Sequence, residues 1–168
     1  MIKNKKDYLY YIKCDREARG YIRKKYFGIR GEIPVYKFQL LMRKVEYYNN
    51  CKHDFFSRLY LYVLKYKYKK QQIKYGFSIP INTFGPGLYI QHRGTICVNG
   101  SAKIGCNCRI YVDVNIGTNM EKEEEAPIIG DNCFIGPGAK LFGKIKIGNN
   151  VAIGANAVVN KSFEDNVT

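Results

Sequence analysis

Two histidines, His53 and His92, are the side chains of this 168-residue chain best suited to moving protons near neutral pH. His53 has no motif around it and reads as a half-exposed structural residue of a helical stretch. His92 sits in Gly87-Leu-Tyr-Ile-Gln-His-Arg-Gly-Thr95, six residues before Val98, where a repeat of inward aliphatics calls for another apolar residue. A polar side chain that breaks such a pattern is a candidate for function. A neutral imidazole, with an unperturbed pKa of about 6.5, can take the proton from a hydroxyl as that hydroxyl attacks a carbonyl. The six cysteines carry no metal-binding signature. Cys106 and Cys108 are alternate residues, which point to opposite sides of a strand. Cys97 and Cys133 read as small core or turn thiols.

The residues that must position His92 recur every six. Val98, Ile104, Ile110 and Ile116 begin the series, and Ile129, Ile135, Leu141, Ile147, Ile153 and Val159 continue it. Four residues after most of them comes a second small or apolar residue, such as Ala102, Cys108, Val114, Cys133 and Ala139. Neither a helix nor a flat alternating strand has this period. Six residues fit one face of a solenoid coil, and three faces make a turn of about 18 residues. Glycine and asparagine follow the aliphatics, where a bend can demand positive φ. The single interruption, between Ile116 and Ile129, places a protruding loop at 117–128. Long loops in compact repeats are often functional, although the Glu121–Glu125 run reads as a solvated tip.

The division expected is 1–75, a basic helical region, and 76–168, the repeat domain. Residues 1–75 hold 20 Lys and Arg against 6 Asp and Glu, whereas the rest balances at 8 and 8. Lys37–Tyr48 and Phe55–Tyr68 have apolar residues three and four apart: Leu40, Leu41, Val45 and Tyr48, then Phe56, Leu59, Tyr60, Val63 and Leu64. The second set is expected to pack on the repeat domain while lysines face water. Tyrosines interleaved with basic residues over Arg58–Lys70 also suit nucleic acid, but no recognition motif accompanies them, and none is expected as a partner. A basic field of this kind fits a solvated face or an encounter with an anionic acceptor or membrane surface. No apolar run of about 18 residues and no leader-like start are present, so a cytoplasmic protein with reduced thiols is expected.

The stretches IGDNCFIGPGAKLFGKIKIGNNVAIGANAVV and GLYIQHRGTICVNGSAKIG resemble the hexapeptide-repeat acyltransferases of the serine acetyltransferase-like branch. The resemblance covers about residues 76–163 and, more weakly, YYIKCDREA and LMRKVEYYNN. It implies a mainly β chain: a left-handed parallel β-helix with an N-terminal α-helical region, assembled as a homotrimer and using acetyl-CoA, without metal. It implies catalysis by His92 and places the cofactor along Gly117 and Thr118, Pro137 and Gly138, Gly154 and Ala155, and Lys161. Zinc carbonic anhydrases share the fold, but they need three histidines per metal. The remaining rival of another class is a non-catalytic trimeric scaffold that binds polyanions.

Against that family, Gln91 stands where an Asp precedes the catalytic His, Ala126 stands where a second His is usual, and no Arg-Asp-Pro-Ala motif occurs in residues 16–34. The partner that orients His92 is therefore open among Gln91, Asp113, Asp15, a backbone carbonyl and a neighbouring subunit. Without groups to pair serine's charged ends, a hydroxyl of a sugar or polysaccharide precursor is the expected acceptor. Serine, as in cysteine biosynthesis, is the alternative. Relatives continue past the position of Thr168 with a Gly-Val-Pro-Ala segment, so a shortened or differently closed last coil is expected.

Overall fold

The computed structural model describes residues 1–19, 32–119 and 125–168. Three helices lead the chain: α1 (Lys5–Glu17), α2 (Glu32–Cys51) and α3 (Phe55–Tyr75). Asn4 and Asp54 cap the starts of α1 and α3 by accepting from the N–H groups of Asp7 and Ser57. Gly76, at φ 76°, ends α3.

Short parallel strands then wind into a left-handed β-helix with three faces. The first face stacks Phe77–Ser78, Ile96–Val98, Val114–Gly117, Lys140–Phe142 and Val158–Val159. The second stacks Lys103–Ile104, Ile128–Ile129 and Lys146–Ile147, with Phe84 and Phe163 bridging at its two ends. The third stacks Tyr89–Ile90, Arg109–Ile110, Phe134–Ile135 and Ala152–Ile153. Each face of a coil sends a pair of side chains inward, one from the strand and one from just before it or within it. Ile96 and Val98 lie over Val114 and Ile116, 18 residues on. Ala102 and Ile104, Cys108 and Ile110, and Val151 and Ile153 are buried in the same way. The axial column is almost wholly aliphatic, with Cys108 and Cys133 as small fillers. Burial pushes both thiols up, so they are protonated core residues rather than nucleophiles.

The corner leaving the second face is held by two ladders. The amide of Asn107 donates to Asn132, Asn132 to Asn150 and Asn150 to Asn166, each at 3.0 Å. All four adopt positive φ, between 55° and 63°, which Asn tolerates better than other side chains. Beside them, backbone N–H groups of Cys106, Asp131 and Asn149 donate to side-chain oxygens of Asp131, Asn149 and Asp165 one coil further on. The bends thus lock neighbouring coils together as well as turning the chain.

An open solenoid end exposes unpaired backbone groups, and here the helices cover it. Arg43 of α2 is wholly buried and donates to the carbonyls of Phe84 (3.0 Å) and Gly85 (2.7 Å). Asp15 of α1 accepts from the N–H groups of Gly87 and Leu88 at 2.8 and 2.9 Å. Gln39 donates to the Leu88 carbonyl, and Glu46 accepts from the Asn82 N–H. Arg43 also binds Asp15 (2.8 Å) and Glu46 (3.0 Å), so one buried cation is shared between two buried carboxylates. Those two carboxylates hold the guanidinium pKa further above its ordinary value, against desolvation.

The helical faces depart from the sequence reading. Among the described side chains of α2, Val35, Phe38, Met42 and Val45 are the buried apolar ones; Leu40, Leu41 and Tyr48 are only partly buried. In α3 the inward residues are Leu64 and Tyr68, with Leu61 and Tyr75 beside them. Phe56, Leu59 and Val63, expected to pack, are 80%, 59% and 44% exposed. The helix carries apolar residues on two opposite faces, and spacing alone does not say which one meets the core.

Candidate functional site

His92 does not occupy an inward position. Ile90 does, in register with Ile110 one coil on. Between the inward pairs at this corner, the later coils have three residues: Tyr111–Asp113, Gly136–Gly138 and Gly154–Asn156. The first coil has five, Gln91–Thr95, and the extra length lifts His92 out to solvent. The break in the six-residue series is therefore a longer corner rather than a polar residue in the core. Its imidazole meets the ring of Tyr111 edge-on, centroids 6.4 Å apart, and Tyr111 packs in turn on Phe134 at 5.2 Å. Tyr111 follows Ile110, which is the register partner of Ile90 and whose carbonyl accepts from the Gln91 N–H. Sequence reasoning passed over it; the signal was that it follows the repeat aliphatic Ile110 by one, as Gln91 follows Ile90.

The candidate residues fall on two corners. Gln91, His92, Asp113, Pro137, Gly138, Gly154 and Ala155 share one, stacked by backbone bonds from Asp113 to Thr95, Gly138 to Val112, and Asn156 to Pro137. Gly117, Thr118 and Lys161 lie on the next corner, with Gly117 accepting from Gly143. One chain does not bring the two groups together. Lys161 is exposed beside Ser162, whose hydroxyl accepts from the Lys146 N–H. On the loop, Glu125 pairs with Lys144 at 3.0 Å; Glu121–Glu124 lie outside the described residues.

Neither acidic candidate orients His92. Asp15 is buried under the first coil against Arg43. Asp113, at φ 58° and exposed, pairs with Lys140 at 3.1 Å. No hydrogen bond or ion pair holds the imidazole among the described residues. His53, expected on a helix, stands exposed in the link between α2 and α3.

Two glycines of the stack differ in what they do. Gly138 has φ 76°, and a Cβ there would fall 1.9 Å from Oδ1 of Asn156. The fold requires glycine at that point. At Gly154 an added Cβ would meet nothing within 4 Å. No further strand among the described residues stacks on this last coil, so its backbone lies as an open ledge three coils below His92.

Residues 126–161 match the family described as bacterial transferase hexapeptide (six repeats). That stretch carries the hexapeptide repeat of the β-helix, and the likeness of the chain as a whole is to serine acetyltransferases. It is 44% identical over 79 residues to a serine acetyltransferase of Staphylococcus aureus, covering 46% of this chain and 37% of that protein. It is 42% identical over 85 residues to one of Staphylococcus epidermidis, covering 50% and 40%. The chain therefore spans well under half the length of these relatives. Among solved structures, serine acetyltransferase of Brucella abortus superposes with a TM-score of 0.68 at 21% identity, over 96% of this chain and 64% of that one. Isoform 3 of Entamoeba histolytica, solved with cysteine, gives 0.67 at 25%, over 93% and 55%. These matches overturn the expectation of a sugar or polysaccharide-precursor acceptor, because the hexapeptide-repeat relatives are serine acetyltransferases. The missing pairing groups argued against serine, but their absence supplied no group that recognises a sugar.

Proposed function

We propose that this chain transfers an acetyl group from acetyl-CoA to the hydroxyl of L-serine, with His92 as the general base. The observation that carries the reading is the exposed His92 on a lengthened corner, above the open ledge at Gly154, in a chain similar to serine acetyltransferases. The imidazole accepts the hydroxyl proton as the oxygen attacks the thioester carbon. The tetrahedral intermediate then expels the thiolate of CoA, which takes up a proton. Tyr111 limits where the imidazole ring can swing, a role that the absent carboxylate partner leaves to packing.

The reading extends to a homotrimer. His92 and Gly154 lie on one corner, and Gly117, Thr118 and Lys161 on the next. Three copies packed around an axis put the first corner of one chain against the second corner of its neighbour. Acetyl-CoA then lies between adjacent β-helices, its pantetheine arm along Gly154 and Ala155 and its phosphates within reach of Lys161.

The test is release of free thiol from acetyl-CoA with L-serine as acceptor. His92→Ala should lower the rate by on the order of 10²–10⁴ while the circular dichroism spectrum stays that of the wild type. Turnover by the variant near the wild-type rate would remove His92 from the chemistry. Wild-type protein that binds acetyl-CoA but leaves serine untouched would overturn the acceptor.

A further inference from the structure

The outer face of α3 has no partner among the described residues. Phe55, Leu59, Tyr62, Tyr66 and Ile73 are 76%, 59%, 74%, 69% and 73% exposed. Their spacings of four, three, four and seven put them on one line, opposite Leu64 and Tyr68. At a rise of about 1.5 Å per residue the line runs for about 27 Å. Phe56 and Val63 widen it on one side. At about 100° per residue, Arg58, Lys65 and Lys69 fall along one flank and Lys67 and Lys74 along the other, with Lys70 within the stripe. The helix contains no Asp or Glu.

We infer that this face of α3 docks the protein on the surface of an anionic lipid bilayer. An apolar and aromatic stripe bordered by cations on both sides suits the boundary between headgroups and acyl chains. There the rings sink shallowly while the lysine stems reach outward to lipid phosphates. Charge selects this occupant over a second copy of the chain. Two such faces pressed together would bring six cations against six, with no carboxylate on either helix to pair them. An uncharged apolar partner would leave the flanking cations unused. No helix among the described residues is long and apolar enough to cross a membrane, so the contact is peripheral. The inference does not rest on the acetyl-transfer reading.

Flotation of the full chain with vesicles tests it. The protein should bind mixed phosphatidylcholine–phosphatidylglycerol vesicles at low salt. It should bind pure phosphatidylcholine about tenfold or more weakly, and lose the mixed vesicles as salt rises. A variant carrying F55S, L59S, Y62S and Y66S keeps every cation and touches no buried residue, so it should fold as the wild type. It should bind mixed vesicles about tenfold or more weakly. Failure of the wild type to bind mixed vesicles overturns the inference. So does equal binding by wild type and variant, which would mark a purely electrostatic surface for acidic protein or another polyanion. A drop in oligomer size in the variant, with vesicle binding unchanged, would make the stripe a contact between copies and also overturn it.

Discussion

At the scale of single residues, the two glycines of the His92 corner separate what the fold needs from what a ligand needs. Gly138 is required by positive φ and by the side chain of Asn156. Gly154 is required by neither, so a side chain there should act only on whatever lies along the ledge. Gly154→Val should leave the unfolding free energy within about 0.5 kcal/mol of wild type. It should raise KM for acetyl-CoA about tenfold or more, with KM for serine much less affected, as steady-state kinetics would show. A normal KM would mean that the pantetheine arm runs elsewhere. His92 itself stood out in the sequence, but for a reason the structure corrects: it looked like a polar residue in an aliphatic column. Counting from Ile90 rather than back from Val98 reveals two extra residues, and no spacing rule says from which end to count. The partner of His92 was not legible, because Asp15 and Asp113 are committed to Arg43 and Lys140, which are distant in sequence.

Among the elements, the β-helix was plain in the sequence because every coil obeys the same local rule. Its aliphatics face the axis and its Asn and Gly residues take the bends. The docking of the helices was not plain, since it depends on buried polar side chains that satisfy backbone groups more than forty residues away, as Arg43 does at Gly85. Such residues look like ordinary surface charge when read alone. Arg43→Met should lower unfolding free energy by about 3–5 kcal/mol, because Asp15 and Glu46 would remain buried without their cation. Urea denaturation would register it; a loss under about 1 kcal/mol would mean that water reaches the cap. A second expectation concerns alkali. Burial pushes the pKa values of Cys108 and Tyr68 up from their ordinary 9.0 and 10.0. Above pH 9 the unfolded chain therefore loses protons that the folded chain retains. Stability is fully present below that pH and declines as pH climbs, by up to about 1.4 kcal/mol per unit for each group. Cys108→Ala should make the decline shallower between pH 9 and 10; an unchanged slope would assign it to other groups.

For the whole molecule, the division of charge has a structural counterpart. The basic half forms the cap and the neutral half forms the coils. Light scattering should give three chains per particle. A monomer that still transfers acetyl groups would refute the shared site. The acceptor is the property the sequence read least well. Recognition was judged from individual missing groups, whereas the likeness to serine acetyltransferases is spread over some eighty residues.

The helical cap hydrogen-bonds to the solenoid between Ile79 and Gly94, in its first coil. Every later coil is held by the one before it, at 18 residues where no loop intervenes. The molecule therefore has a fixed origin and an extensible body, like a ruler whose zero mark alone is nailed down. A further block of eighteen residues inserted after Leu141 would lengthen the body by one division, about 4.8 Å, and return every face to its own column. A block of seventeen would turn each later aliphatic away from the axis. Length in this architecture is counted in whole turns, and the helices set only where the counting starts.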